Sequence, residues 1–376
     1  MAEVAPAPIL ASVRPERQKL DWLQCGRAIA ATSVCCFHAS ERVAKHAADL
    51  TGFHVFQFGK LGVDLFFVIS GFIIFYIHAG DIGRPATLER YAYRRATRIY
   101  PLYWLLFALV IPLYFVVPSA GDGTARDLGS LIRCFFLLPN VPGGQVIGVA
   151  WTLVFEVSFY AIFALLILNR WIGTALIAVW AGLIVANTAG IINAQGYAAP
   201  YLSPRYFEFA VGAGVYYLSQ RWRPRWALVL SAASAVLLFA GGLVWPALAA
   251  ALSTLTSQVL LAGLLCGAIV FGLVTAQGSS PKASRAGRIL TALGDASYSI
   301  YLSHWLIGWI VDKAFLKLHQ TSALVSVIYF PILCALMIGG GYLVHRVIER
   351  RLMNFFNTVW RRRTEAARQR RVQPAV

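Results

Sequence analysis

A chain of 376 residues in which 59% are hydrophobic and only 13% charged, with a mean hydropathy of +0.65, is too apolar for one water-soluble core and belongs in a membrane. Its formal net charge of +17 would suit a nucleic-acid binder, but the Lys and Arg residues cluster between apolar segments and leave no soluble region to carry such a fold. The six cysteines (Cys25, Cys35, Cys36, Cys134, Cys266 and Cys334) lack C-x-x-C spacing and fall mostly in apolar runs, which reads as packing and argues against a redox or metal device.

In chain order, the N-terminal arm, 1–20, is polar and runs straight into a long apolar segment, so no cleavable signal peptide is expected. Apolar segments of membrane-crossing length follow at about 22–40, 61–79, 99–117, 150–168, 171–190, 205–219, 227–245, 255–276, 292–311 and 324–345. The sixth is the weakest, being short and carrying Arg205 and Glu208. This predicts an all-α membrane protein whose membrane domain, 21–350, has about ten transmembrane helices. With the N-terminus inside, 24 of the 33 Lys and Arg fall on the cytoplasmic face and eight on the other, with Arg27 inside the first helix. That bias puts both termini in the cytoplasm. The arm and the end of the chain read as disordered or interfacial, and the basic tail, 351–376, with its WRRRTEAARQRR run, is expected to continue as a helix along anionic headgroups. The loop 118–148, rich in Gly and Pro, is expected outside with a short re-entrant piece around Phe135–Leu138. No fixed-period repeat is visible, nor a Gly/Pro-broken helix in each half of the kind a transporter carries.

The ionisable residues inside apolar runs come next. Arg27 and His38 are eleven residues apart in the first of them. On a helix that is roughly 1100° of rotation, so both point the same way, about 16 Å apart along the axis. A cation and an imidazole on one stripe of a membrane helix are costly to bury, and a functional site is the default reading. The alternative is that Arg27 snorkels to the near interface and His38 caps the far end. Sorted by depth, His38, Asp64, Glu156, Arg205 and Glu208 gather in the outer half, while Arg94, Arg95 and Arg98 sit at the cytoplasmic mouth beside Arg27. Such a bipolar arrangement suits a substrate with an anionic head inside and its reactive end deep in the membrane.

Six motifs then occur in order: Arg27-x10-His38, GVDLFFVISGF (62–72), YRRATRIYPLYW (93–104), WTLVFEVSFY (151–160), RYFEFAVG (205–212) and ASYSIYLSHW (296–305). The ordered set resembles the acyltransferase-3 family of ten-helix membrane acyltransferases over most of residues 20–350. A single glutamate in WTLVFE, with no extracytoplasmic SGNH-type domain after the last helix, looks most like the branch that acetylates bacterial exopolysaccharides. Two departures stand out. Gly26 precedes Arg27 where the family commonly has Gly after the arginine, and Glu349-Arg350-Arg351 lacks the proline of the family's Glu-Arg-Pro.

The resemblance implies transfer of an acyl group, usually acetyl, from cytoplasmic acyl-CoA to a sugar hydroxyl of a polysaccharide or lipid-linked oligosaccharide, in a bacterial inner membrane. No metal, no bound cofactor and no nucleic acid is expected. Arginine supplies bidentate donors for the CoA phosphates. Because Arg94, Arg95 and Arg98 span just over one helical turn, Arg95 and Arg98 are assigned to phosphate and Arg94 to the interface, against the alternative of positive-inside topology alone. Arg27 would hold a phosphate or pantetheine carbonyl. His38 is the expected catalytic residue, as base or as acyl carrier, oriented by a carboxylate. Glu156 is preferred for that role over Asp64, which could equally serve as a helix cap. Ser70, with Gly71 and Gly62, reads as allowing close helix contact. His304 is either site-lining or a satisfied buried histidine. Arg205 and Glu208 form an i,i+3 ion pair or hold the acceptor sugar, and Trp151 and Tyr160 could stack on it. His46, His54, His78 and His345 are assigned nothing. The rival readings are a transporter or flippase for a polysaccharide precursor, and a non-catalytic subunit of an export assembly.

Overall fold

In hydrocarbon, backbone N–H and C=O groups must bond within their own segment, which leaves the helix as the available fold for a chain this apolar. The structure is a computed structural model; it describes residues 20–46, 51–117, 124–141, 143–243, 255–276, 280–318 and 323–372, and among these no strand occurs. The helices are α1 (Asp21–His46), α2 (Gly62–His78), α3 (Leu88–Val116), α4 (Leu128–Phe135), α5 (Trp151–Leu168), α6 (Arg170–Thr188) and α7 (Tyr206–Arg221). They continue as α8 (Ala227–Leu243), α9 (Leu255–Thr275), α10 (Arg285–Asp295), α11 (Ser297–Leu318), α12 (Ala323–Val344) and α13 (Arg350–Val372). A 3-10 segment, Thr51–Leu61, leads into α2, and a π turn, His345–Glu349, joins α12 to α13.

Six of these segments are long and apolar enough to cross a membrane: Phe56–Asp81, Pro85–Val116, Gly148–Leu168, Arg170–Thr188, Leu255–Thr275 and Val327–Ala367. The protein is therefore an all-helical, multi-pass membrane protein. These six account for six of the ten expected stretches; 22–40, 205–219, 292–311 and the described part of 227–245 lie mostly on helix without meeting that length and apolarity, and the differences matter for the site. The first helix runs on to His46 and so takes in Glu41 and Arg42. α3 begins at Leu88, which moves Arg90, Arg94, Arg95 and Arg98 from the expected loop onto helix. The stretch 292–311 is broken at Ala296, where amphipathic α10 ends and α11 begins. Residues 135–138 are the end of α4 and its turn, in which Leu137 adopts φ 55°. At the other end of α4, the Ser130 N–H bonds the Asp127 carboxylate at 2.6 Å and holds it below the usual carboxylate range. All but the last residue of the expected N-terminal arm, 1–20, and the last residues, 373–376, lie outside the described residues.

Close backbone contact sets the centre of the bundle. A Cβ at Gly71 of α2 would lie 2.2 Å from the Phe209 carbonyl of α7, and one at Gly212 of α7 would lie 2.1 Å from the Val68 carbonyl. Only glycine lets these two helices approach so far. Buried apolar clusters then wrap α1 and α2 on three sides, built from α3, α5 and α11, from α7 and α9, and from α11 and α12. α6 lies at the periphery and exposes Trp171, Ile172, Leu176, Val179 and Leu183, an apolar face suited to lipid. α13 returns along the start of α3. Tyr93 donates to the Phe356 carbonyl at 2.8 Å, its ring lies 4.6 Å from that of Trp360, and Arg363 pairs with Glu89 at 2.7 Å.

Candidate functional site

Helical spacing explains how two cavities form along one seam. On α1, Arg27, Val34 and His38 follow at steps of seven and four, so they share a stripe; on α11, Tyr298, Tyr301 and Trp305 do the same at steps of three and four. The first cavity, of about 390 Å³, is bordered by Arg27, Ser70, Arg94, Arg95, Arg98, Glu156, Tyr160, Tyr298, Met353 and Asn357. The second, of about 350 Å³, is bordered by Val34, His38, Lys60, Asp64, Trp151, Arg205, Gln258 and Trp305. Val63 and Tyr301 border both, and so form the partition between them. Tyr301 is held there by hydrogen bonds, accepting from Thr152 Oγ1 at 2.9 Å and donating to the Val149 carbonyl at 3.2 Å.

Four guanidinium groups and one carboxylate face the first cavity, so its field is positive. Arg98 pairs with Glu349, which also accepts from Ser299 Oγ at 2.6 Å and from His345 Nδ1 at 2.7 Å. The Arg98 guanidinium stacks 5.1 Å from the Tyr298 ring, whose hydroxyl donates to the Ile99 carbonyl at 2.6 Å. Arg95 lies 5.6 Å from the Tyr160 ring, and its Nε is buried with no hydrogen-bond partner among the described residues. The Tyr160 hydroxyl donates to Glu156. Arg27 touches Gln24 Oε1 only at 3.4 Å. Donors therefore remain on Arg27 and Arg95 for an anion with several oxygens.

The second cavity carries the imidazole. His38 Nδ1 donates to Glu41 Oε2 at 3.0 Å, one turn further along α1. That leaves the Nε2 lone pair of His38 for another proton. The His304 ring is stacked on it at 5.3 Å. His304 is fully buried, its Nδ1–H donates to the Tyr301 carbonyl at 2.5 Å, and its Nε2 has no partner among the described residues. On the opposite wall Arg205 bonds Asp64 Oδ1 at 3.3 Å and lies 5.3 Å from the Trp151 ring.

Several expectations change. The carboxylate hydrogen-bonded to His38 is Glu41, in place of the expected Glu156 or Asp64: Glu156 faces the arginine cavity and Asp64 bonds Arg205. The Asp64 side chain makes no cap bond at the start of α2. Arg205 does not pair with Glu208, which is buried beneath Gly263 with neither carboxyl oxygen hydrogen-bonded among the described residues. Tyr160 belongs to the arginine cavity, away from Trp151. Arg94, Arg95 and Arg98 all border one cavity despite their helical spread, because long flexible side chains converge on its wide mouth. Ser70 borders that same cavity rather than only a helix contact.

Residues that sequence reasoning passed over are Glu41, Glu349, Tyr298, Tyr301, Met353 and Asn357. Glu41 carried a signal, since it is i+3 from His38, but it fell outside an expected helix ending at Ser40. Met353 and Asn357 lie on α13, whose return to α3 no local pattern announces. All six cysteines are free, and among the described residues no three His, Cys, Asp or Glu side chains are grouped to hold a metal ion.

Comparison with known proteins gives the family. Residues 20–346 match the acyltransferase domain of the acyltransferase-3 family. The exopolysaccharide production protein ExoZ of Rhizobium meliloti (strain 1021) is 35% identical over 284 residues, which cover 72% of this chain and 82% of that protein. A candidate membrane-bound transacylase, BcsY of Komagataeibacter xylinus, is 29% identical over 286 residues, covering 69% of this chain and 67% of that protein. No solved structure matches the chain. A match over so much of the sequence, on a bundle of membrane-crossing helices, places the chain in the acyltransferase-3 family, and it is a membrane acyltransferase.

Proposed function

We propose that this protein is an O-acetyltransferase of the bacterial inner membrane, moving an acetyl group from acetyl-CoA to a sugar hydroxyl of an exopolysaccharide or its lipid-linked repeat unit. In this reading the ten helices α1, α2, α3, α5, α6, α7, α8, α9, α11 and α12 cross the bilayer with both termini in the cytoplasm. The observation that carries the proposal is the pair of adjoining cavities, one lined by arginines and one by His38, with Val63 and Tyr301 bordering both. A CoA thioester has the matching polarity, with phosphates at one end and the reactive carbonyl at the end of a long arm. Arg27, Arg94, Arg95 and Arg98 bind the phosphates, and the arm passes Tyr301 toward His38.

In direct transfer, His38 Nε2 removes the proton of the acceptor hydroxyl as its oxygen attacks the thioester carbonyl. The C–S bond breaks, the ester C–O bond forms, and the proton passes from His38 to the leaving thiolate. In the two-step route, His38 Nε2 itself attacks, the C–S bond breaks and CoA departs as thiolate, and the acetyl-imidazolium is then attacked by the sugar hydroxyl, whose proton passes to the thiolate as the C–N bond breaks and neutral His38 returns. Glu41 stabilises the imidazolium in both. Asp64, Arg205 and Trp151 face the acceptor.

The test uses purified protein with radiolabelled acetyl-CoA, without and then with a glycan acceptor, comparing wild type, His38→Ala and Arg95→Ala. Label retained on denatured wild-type protein and absent from His38→Ala establishes the acyl-enzyme route. Donor binding without retained label, with transfer to glycan abolished in His38→Ala, establishes direct transfer. Arg95→Ala is expected to raise the donor KM with kcat maintained. Absence of donor binding by the wild type would refute the proposal.

A further inference from the structure

A third cavity, of about 460 Å³, adjoins the His38 cavity and is bordered by residues 139–141 and 144–145, which lie outside helix, and by the end of the 3-10 segment Gly196–Leu202 with the turn 203–205 that follows it. Trp151 and Arg205 border both cavities, so one wall serves two spaces. Backbone outside helix cannot face hydrocarbon with its polar groups unmet, so the opening bordered by 139–141, 144–145 and 203–205 faces water. A ligand reaching it is therefore water-borne, not an acyl chain.

The cavity walls are held in place by specific bonds. Asn140 Nδ2 donates to the Gly144 carbonyl at 2.7 Å, which closes the first segment on itself, and Gly144 takes φ 71° to allow it. Trp180 Nε1 donates to the Tyr201 carbonyl at 2.8 Å and Asn187 Nδ2 to that of Leu202 at 3.2 Å, which tie the second segment to α6. Gln145 Nε2 donates to the Leu138 carbonyl at 2.9 Å. That bond fixes the amide and leaves Gln145 Oε1 as an acceptor with no partner among the described residues. Trp151 is 37% exposed, and Pro139 and Pro200 add flat apolar surface. Flat apolar faces interrupted by a few fixed amide and guanidinium groups match a ligand with C–H faces and a rim of hydroxyls.

We infer that this third cavity is a second glycan subsite, which holds the sugar unit adjoining the one acetylated at His38. The inference rests on the proposed glycan acceptor. Trp151 and Arg205 bridge the two positions, so the acceptor chain runs from one cavity into the other. The protein then selects its acceptor by the linkage to a neighbouring sugar as well as by the hydroxyl modified.

The experiment compares two acceptors with wild type, Ala199→Trp and Gln145→Ala, using radiolabelled acetyl-CoA. One acceptor is the methyl glycoside of a single sugar, and the other is a de-O-acetylated oligosaccharide from the exopolysaccharide of the producing strain. Ala199 lies at the rim of the third cavity and does not border the His38 cavity, so a tryptophan there fills only the former. Losing the subsite is expected to raise the oligosaccharide KM about tenfold in Ala199→Trp, and less in Gln145→Ala, where one hydrogen bond is lost. Kinetics with the single sugar stay at the wild-type level, which also shows that the variants fold. Equal losses on both acceptors, or no change on either, overturn the subsite while leaving the transferase reading intact. Transfer by wild type to neither acceptor overturns the glycan reading and the subsite with it.

Discussion

Replacing Glu41 tests the catalytic arrangement most directly, because it changes the partner of His38 without touching the cavity lining. The 3.0 Å contact between His38 Nδ1 and Glu41 Oε2 becomes a charge-assisted bond when His38 takes a proton. Such bonds contribute about 1.5–3 kcal/mol. Here the two side chains are 28% and 43% exposed, so solvent screens the charge and the lower end applies. About 1.5 kcal/mol of transition-state stabilisation corresponds to roughly a tenfold loss of kcat in Glu41→Ala. Glu41→Gln can still accept from Nδ1–H and keeps the ring oriented, so it loses only the charge and falls between wild type and Ala. The donor KM stays within about twofold in both, because Glu41 is remote from the arginines. The assay is initial-rate transfer of radiolabelled acetyl to glycan over a range of acetyl-CoA concentrations. Wild-type kcat in Glu41→Ala, or a loss expressed entirely as a higher donor KM, would refute the role given to this pair.

Two further outcomes concern stability. Glu349 is 3% exposed and accepts from Arg98, Ser299 and His345, so Glu349→Ala leaves a partly buried cation, 25% exposed, without its carboxylate and is expected to cost about 2–3 kcal/mol, read as a lower unfolding temperature in detergent; an unchanged temperature would show that Arg98 finds equal partners elsewhere. Gly212→Val must push α7 off the Val68 carbonyl and with it separate Arg205 from Asp64, so both stability and transfer fall, whereas Gly214→Ala, with nothing within 4 Å of the added Cβ, is neutral or slightly stabilising. Equal effects of the two glycine substitutions in the same thermal assay would mean that helix propensity, and not the contact between α2 and α7, controls this region.

Periodicity along single segments already determined much of this protein. Six of the expected apolar stretches are helices long and apolar enough to cross a membrane, Arg27 and His38 share one face of α1, and the arginines at 94–98 and the imidazole at 38 lie at opposite ends of a seam, because rise and rotation per residue are properties of the chain's local geometry. Tertiary structure alone decided the partners. Asp64 meets Arg205 across 141 positions of sequence and Arg98 meets Glu349 across 251. Each local pattern left its carboxylates with more than one reachable cation, and the choice followed from which backbones touch, at Gly71 and Gly212, and from where α13 returns. The assignment of Glu156 to His38 failed for that reason: depth along a helix axis is readable from spacing, but the direction in which a neighbouring helix turns its charged face depends on contacts formed only when the bundle closes.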